Sequence, residues 1–270
     1  MTTPEHFFAR LALEEAVLVV VQATRGSVPR GEGAWMAVFA QGAVGTVGGG
    51  HLELAATAQA REQLRGGVRE LVLRYPLGPA LGQCCGGEVN LRFERVRSDD
   101  VDSLRARLAI RRYPVALFGG GHVGHALVRV LAGLPLSVRW VDSRDEIFPA
   151  ELPGNVSCEH SDPVHAAVAH LPSGSRVLVM SFSHAEDLEV VAACLARKRL
   201  HADLPYIGLI GSRPKWATFR HRLEARGFTP EEWAHVTCPI GVSGISGKEP
   251  EVIAVAVAAQ ILQSCSASID

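Results

Sequence analysis

Apolar positions along this chain follow one rhythm up to about residue 97 and another from residue 113 onward. In the first stretch, residues 4–15 read as a helix. The β-branched run AVLVVVQAT, Ala16–Thr24, then reads as a buried strand. AWMAVFAQGAVG suggests two short strands meeting near Gln41 and Gly42, and HLELAATAQAREQLRGG fits a helix with alanine and leucine on one side. A strand over Val68–Tyr75 and an alternating strand over Glu88–Val96 follow. The stretch 98–112 is charged and helical in pattern, with Ser98, Asp99 and Asp100 suited to a helix N-terminus. Beyond it, strands and helices alternate. The strands fall at Val115–Phe118, Ser137–Val141, Arg176–Phe182 and Tyr206–Ile210, with minor ones near Val156 and Val236. The helices cover Val123–Leu131, Pro163–His170, Ala185–Arg199 and Lys215–Arg226, and a last apolar helix enters through Pro250. The expected fold class is α/β: a C-terminal Rossmann-like, mostly parallel sheet with a smaller mixed α+β N-terminal domain. The expected domains are 1–97, a linker helix over 98–112, and 113–270.

Composition narrows this picture without redirecting it. With 270 residues, 47% hydrophobic, 20% charged and a formal net charge of −1, the chain reads as a folded soluble protein with no global attraction to nucleic acid. The first residues lack the basic-then-apolar layout of a signal peptide, and the longest apolar segment, Val252–Leu262, is too short to span a bilayer. A cytoplasmic location is the expectation. Six cysteines in a chain of this length argue against a disulfide scaffold.

Several stretches carry candidate chemistry. PVALFGGGHVGHALVRVL places Gly119, Gly121 and Gly124 between a strand and a helix at dinucleotide-fingerprint spacing. Asp142 follows the next strand, where a carboxylate can bond a ribose hydroxyl. An architectural turn that binds nothing is the alternative. In VQATRGSVPRGEGAWM, Arg25 and Arg30 flank a turn and present anion-binding forks, the alternative being two solvated arginines. TVGGGHLELA repeats the order of strand end, glycine cluster and helix start, so amides near Gly49 and Gly50 suit an anion, the alternative being a structural or capping role. His51 and Glu53 are too close in sequence to share a helix face as a metal pair. LGPALGQCCGGEV holds two adjacent thiols, Cys84 and Cys85. They suit a soft metal, sulfur carriage or reversible oxidation, or are simply buried small residues, and no spacing completes a zinc site. Ser181, Ser183 and His184 follow a strand but lack a hydrolase elbow, and Asp187 suits a first helical turn. Arg213 is a candidate phosphate or partner contact, with Cys238 and Lys248 weaker ones.

Taken in order, VQATRGSVPRGEGAWM, GTVGGGHLE, GQCCGG, ALFGGGHVG, VDSRDE and YIGLIGSRPKW resemble the bacterial xanthine dehydrogenase accessory protein family, the XdhC family. The resemblance implies a dimer-forming chaperone, not an enzyme, that binds the molybdenum cofactor in its molybdopterin form. It implies that the chaperone shelters this cofactor, presents it for sulfuration by a cysteine desulfurase and assists its insertion into the molybdenum subunit of xanthine dehydrogenase, in purine metabolism. A cofactor-supplying protein is a further implied partner. The implied cofactor contacts are Arg25, Arg30, Gly49, Gly50, Glu53, Gln83, Cys84 and Cys85, with Cys85 as the metal contact; Gly119, Gly121, Gly124, Asp142 and Arg213 complete the set. The chain departs from relatives at PIGVSGISG, Pro239–Gly247, where a PIGLDIG-type loop carries an aspartate. The competing readings are an NAD(P)-dependent oxidoreductase, which would use the glycines and Asp142, and a scaffold that assembles a dehydrogenase through protein contacts alone.

Overall fold

A computed structural model describes residues 3–77, 86–109 and 112–266. The chain divides into two compact units, Met1–Ala109 and Ile110–Asp270.

The first unit runs α1 (Thr3–Leu11), β1 (Ala16–Arg25), β2 (Trp35–Val38), β3 (Ala43–Gly45), α2 (Gly50–Leu64), β4 (Glu70–Pro76) and β5 (Glu88–Val96). Its sheet is antiparallel with the order β3-β2-β1-β5-β4. Central position explains why the apolar run of β1 does not alternate. Val17, Val19 and Val21 pack with Leu52, Ala56 and Ala60 of α2, while Ala16 and Leu18 cluster with Phe7 and Leu11 of α1. β5 is polar on one side and alternates, with Val89, Leu91 and Phe93 buried. The β1–β5 register shifts between Val21 and Ala23, leaving Gln22 exposed as an extra residue. Such a bulge re-aims every side chain that follows it, here Thr24 and Arg25. The charged stretch after β5 holds a 3₁₀ turn, Ser98–Asp100, and α3 (Val101–Arg107), whose Leu104 is fully buried in the cluster around α1.

The second unit runs β6 (Tyr113–Phe118), α4 (His122–Leu131), β7 (Leu136–Asp142), β8 (Val156–His160), β9 (Arg176–Val179), α5 (His184–His201), β10 (Tyr206–Leu209), α6 (Arg213–Glu224), α7 (Pro230–Trp233), β11 (Val236–Thr237) and α8 (Pro250–Ser266). All its strands are parallel, in the order β11-β10-β9-β6-β7-β8. Alternate residues of β6 serve opposite layers. Val115 and Leu117 cluster with Leu127 of α4, Trp140, and Val257 and Ile261 of α8; Ala116 and Phe118 cluster with Leu188 and Val191 of α5 and Phe219 of α6.

Two elements differ from the sequence reading. β9 ends at Val179, and two residues on the part-buried Ser181 N–H donates to Asp187 Oδ1 at 2.7 Å instead of extending the ladder. The segment Val164–His170 is a 3₁₀ helix, which suits the three-residue spacing of its buried Val164 and Ala167.

Cys194 lies wholly inside the α5 layer, and burial pushes its thiol up to about 12. At pH 8 its thiolate fraction is then of order 10⁻⁴, so iodoacetamide should leave Cys194 unmodified until the chain is denatured. Mass mapping of alkylated peptides checks this; stoichiometric modification of the native chain would contradict the packing.

Candidate functional site

In the first unit, glycine-bearing loops meet where β1 ends. The turn after β1 packs main chain on main chain against the entry to β5. A Cβ on Gly26 would lie 3.3 Å from Gly87 Cα, and one on Gly87 would overlap the Ser27 carbonyl. Pro29 on the same loop closes on Gly48, where an added Cβ would come within 2.9 Å of the proline Cβ. Gly48 also has φ 133°, a conformation that side chains rarely adopt. The Arg25–Arg30 arch therefore touches both the Gly48–Gly50 turn and the end of the GQCCGG stretch. Gln83, Cys84 and Cys85, the thiol part of that stretch, lie outside the described residues.

Arg25 and Arg30 are exposed, and among the described residues neither guanidinium has a hydrogen-bond or ion-pair partner. Gly49 is the N-cap of α2, has no side-chain cap, and meets nothing within 4 Å of an added Cβ. Gly50 and His51 are exposed in the first turn that follows. Exposed helix-start amides, and two arginines on the neighbouring loop that have no partner among the described residues, are the groups that suit an anion.

Glu53 works on the loop itself. Its Oε1 accepts from the Thr46 hydroxyl, from Val47 N–H at 3.0 Å and from Gly48 N–H at 3.3 Å, which fixes the glycine turn from below. Desolvation, the largest influence on this carboxyl, pushes its pKa up, but the Thr46 hydroxyl and the backbone amides of Gly49, Val47 and Gly48 together hold it below the usual value.

In the second unit, Gly119, Gly121 and Gly124 have separable roles. Gly119, at φ 123°, has no room for a Cβ against Met180 O, and a Cβ on Gly124 would overlap Gly119 O. Gly121 is exposed with nothing within 4 Å. Thus two of these glycines serve close packing and the middle one leaves space.

Asp142 departs from the ribose role that its position suggested. It is 1% exposed. One oxygen accepts from Gly120 N–H at 2.6 Å and Arg144 Nη2 at 2.9 Å; the other accepts from Arg144 N–H at 2.9 Å and Arg144 Nε at 2.8 Å. A carboxylate offers about four acceptor positions, and all are spent within the chain. Burial, the largest influence, pushes this carboxyl up, and Arg144 with the two amides outweighs it, leaving the pKa below its usual range. The residues present therefore do not fit an adenine dinucleotide held by its ribose diol.

Asp187 lies in the first turn of α5, as its position in the sequence suggested, and is in addition a buried ion-pair partner. Lys215 Nζ lies 2.6 Å from Asp187 Oδ2 and donates to Ile210 O at 2.8 Å, tying the loops after β9 and β10 together. Sequence spacing held no signal for this pair. Cys238 is half-buried, and burial raises its thiol pKa despite the nearby Lys215. Arg213 is exposed at the start of α6, where Ser212 caps the helix by accepting from Lys215 N–H, and among the described residues it has no partner. Among the described residues no group of three or more His, Cys, Asp or Glu is placed to hold a metal ion, and no helix is long and apolar enough to cross a membrane.

Comparison with known proteins adds sequence-level findings. Residues 115–261 match the family model described as the XdhC Rossmann domain, and residues 9–76 match the model described as the XdhC and CoxI family. The chain is 29% identical over 245 residues to the uncharacterized protein YqeB of Escherichia coli (strain K12); the match covers 89% of this chain but 42% of that protein, so the chain spans less than half the length of this relative. A crystal structure described as a xanthine dehydrogenase from Bacillus halodurans superposes with a TM-score of 0.79 at 20% identity, covering 99% of this chain and 96% of that one, a likeness of fold.

Proposed function

The chain belongs to the XdhC family, and on that premise we propose that it is an accessory protein that binds the molybdenum cofactor rather than an enzyme with its own turnover. The observation that carries this reading is the meeting of the Arg25–Arg30 arch, the Gly48–Gly50 turn and Gly87 at one end of the antiparallel sheet. Arg25 and Arg30, with the amides after Gly49, would hold the terminal phosphate of the pterin, and Cys85 is the thiol chosen to face the metal, with Cys84 the second choice. When bound, the group supplies the molybdenum centre of a hydroxylase; this chain's part is to hold and shield it. Presentation to a cysteine desulfurase and delivery to the molybdenum subunit of xanthine dehydrogenase, by a homodimer, complete the proposal. The oxidoreductase reading loses its main support because the Asp142 acceptors are spent.

The test is mass analysis of pterin and molybdenum retained by purified wild type, by Arg25→Ala/Arg30→Ala and by Cys85→Ala, handled so as to preserve the labile cofactor. Each lost charge-assisted contact is worth about 1.5–3 kcal/mol, so the double arginine variant should retain at least roughly tenfold less pterin. Cys85→Ala should keep pterin and lose molybdenum or its sulfur. Wild type that holds no pterin would sink the proposal; equal molybdenum and sulfur in Cys85→Ala would remove that cysteine from it.

A further inference from the structure

We propose that the free edge of β4 is the docking surface for a second copy of this chain, the two β4 strands pairing antiparallel about an axis at Val72. β4 is an end strand of the antiparallel sheet, and among the described residues no strand pairs with its other side. Sheet edges are commonly blunted by shortness, lysine, proline or a bulge. β4 runs for seven residues, pairs with β5 without a register shift and carries no lysine, and its one proline, Pro76, is its last residue.

The ladder shows which backbone groups are spare. Arg95 N–H donates to Arg69 O at 2.9 Å just before β4, and Leu77 N–H donates to Gly87 O at 2.8 Å just after it. In an antiparallel pair such bonds recur at every second residue. Leu71, Leu73 and Tyr75 therefore spend their amides and carbonyls on β5, while Glu70, Val72 and Arg74 aim theirs at the open edge. The two sets also differ in burial. Leu71, Leu73 and Tyr75 are half-buried against the apolar cluster shared with α2, and Val72 is 47% exposed between the exposed Glu70 and Arg74.

A second copy suits this edge because the edge is complementary to itself. With Val72 opposite the partner's Val72, Glu70 faces the partner's Arg74 and Arg74 faces the partner's Glu70. The outward amides and carbonyls of all three residues then find partners. On the other face Leu71 meets the partner's Leu73, which extends the half-covered apolar layer. Within the chain Glu70 lies 3.8 Å from Arg92, and Arg74 is paired with Glu88. Charges on successive strands would thus run Glu88, Arg74, the partner's Glu70, the partner's Arg92, alternating in sign. Opposite charges on facing strands stabilise the pairing and like charges oppose it. A register centred on Leu73 would instead set Glu70 against Pro76, which has no N–H, and Val72 against Arg74.

This surface gives the homodimer of the proposed function its interface and rests on that part of the reading. Sedimentation equilibrium of the cofactor-free full chain tests it, so pairing and pterin binding fail or stand separately. Wild type should be a dimer. Glu70→Arg sets two like-charge pairs across the axis, as does Arg74→Glu, and each alone should dimerise at least about tenfold more weakly. An equal mixture of these two variants restores both opposite-charge pairs and should form heterodimers at close to wild-type affinity. Damage confined to one chain's own packing would not be rescued by mixing. Val72→Lys, at an exposed position, sets two ammonium groups against each other on the axis. It should weaken the dimer at least about tenfold with the circular dichroism unchanged. A monomeric wild type would overturn the proposal, even if another protein then proved to bind the edge. So would a dimer indifferent to all three substitutions, or a mixture that pairs no more tightly than its components.

Discussion

Gly119→Ala is expected to destabilise the second unit by more than about 3 kcal/mol, the combined cost of a forbidden backbone conformation and an overpacked contact. Gly119 has φ 123°, and a Cβ there would overlap the Met180 carbonyl of the neighbouring strand end. The backbone has nowhere to retreat. Gly119 N–H donates to Val141 O at 2.8 Å, and its carbonyl accepts from the buried Trp140 indole at 2.9 Å. Gly124 presses on that same carbonyl from the first turns of α4. Relief of the clash by rotation would break hydrogen bonds on both sides. For a unit of this size the unfolding midpoint should fall by roughly 6–12 °C, read by calorimetry. Gly133→Ala, where nothing lies within 4 Å of an added Cβ, is the control and should leave the midpoint nearly unchanged. If the two variants melt alike, the close approach of β6 and β9 is not as described.

The second large effect is expected from Asp187→Ala, at about 3–5 kcal/mol, because removal of one partner strands the other charge in the interior. The Asp187 and Lys215 side chains are 3% and 11% exposed. The aspartate also accepts from Ser181 N–H, so the variant leaves that amide without its partner. Replacing both charges, as Asp187→Leu/Lys215→Met, should recover much of the loss, since buried ion pairs trade well for apolar packing. Urea unfolding midpoints at neutral pH report both numbers. A single-variant cost below about 1 kcal/mol, the level of an exposed pair, would show that water reaches the lysine.

Some of this architecture was legible in the sequence because its causes are local. The strand-glycine-helix order at Val115–Leu131 follows from an apolar run and from glycines whose close contacts lie within a few residues or at the next strand. The valines of β1 announced a buried strand, and the hairpin at Gln41 and Gly42 was marked by its turn. The Rossmann-like unit beside a smaller α+β unit followed from these patterns and stands in the structure. What escaped depends on which side chain fills a given space. Asp142 stood at the spacing of a ribose ligand, yet Arg144, two residues on, folds back onto it, and no periodicity carries that information. Asp187 and Lys215 are far apart in sequence and meet because β9 and β10 are neighbours. The bulge at Gln22, which sets the direction of Arg25, is a property of the β1–β5 pairing and is invisible in either strand alone.

The sheet order of the first unit also sets a timetable for synthesis. β1 can pair with β2, and β2 with β3, almost as soon as they emerge, because short loops join them. Its other edge must wait for β5, with Val20 opposite Arg92, after α2 and β4 have been made. During that interval the ribosome displays a valine-rich strand with one open ladder edge, which can pair with another chain. Each nascent chain thus carries a sticky edge until residue 96 has been made and has cleared the exit tunnel, and slow translation between α2 and β5 would lengthen its exposure.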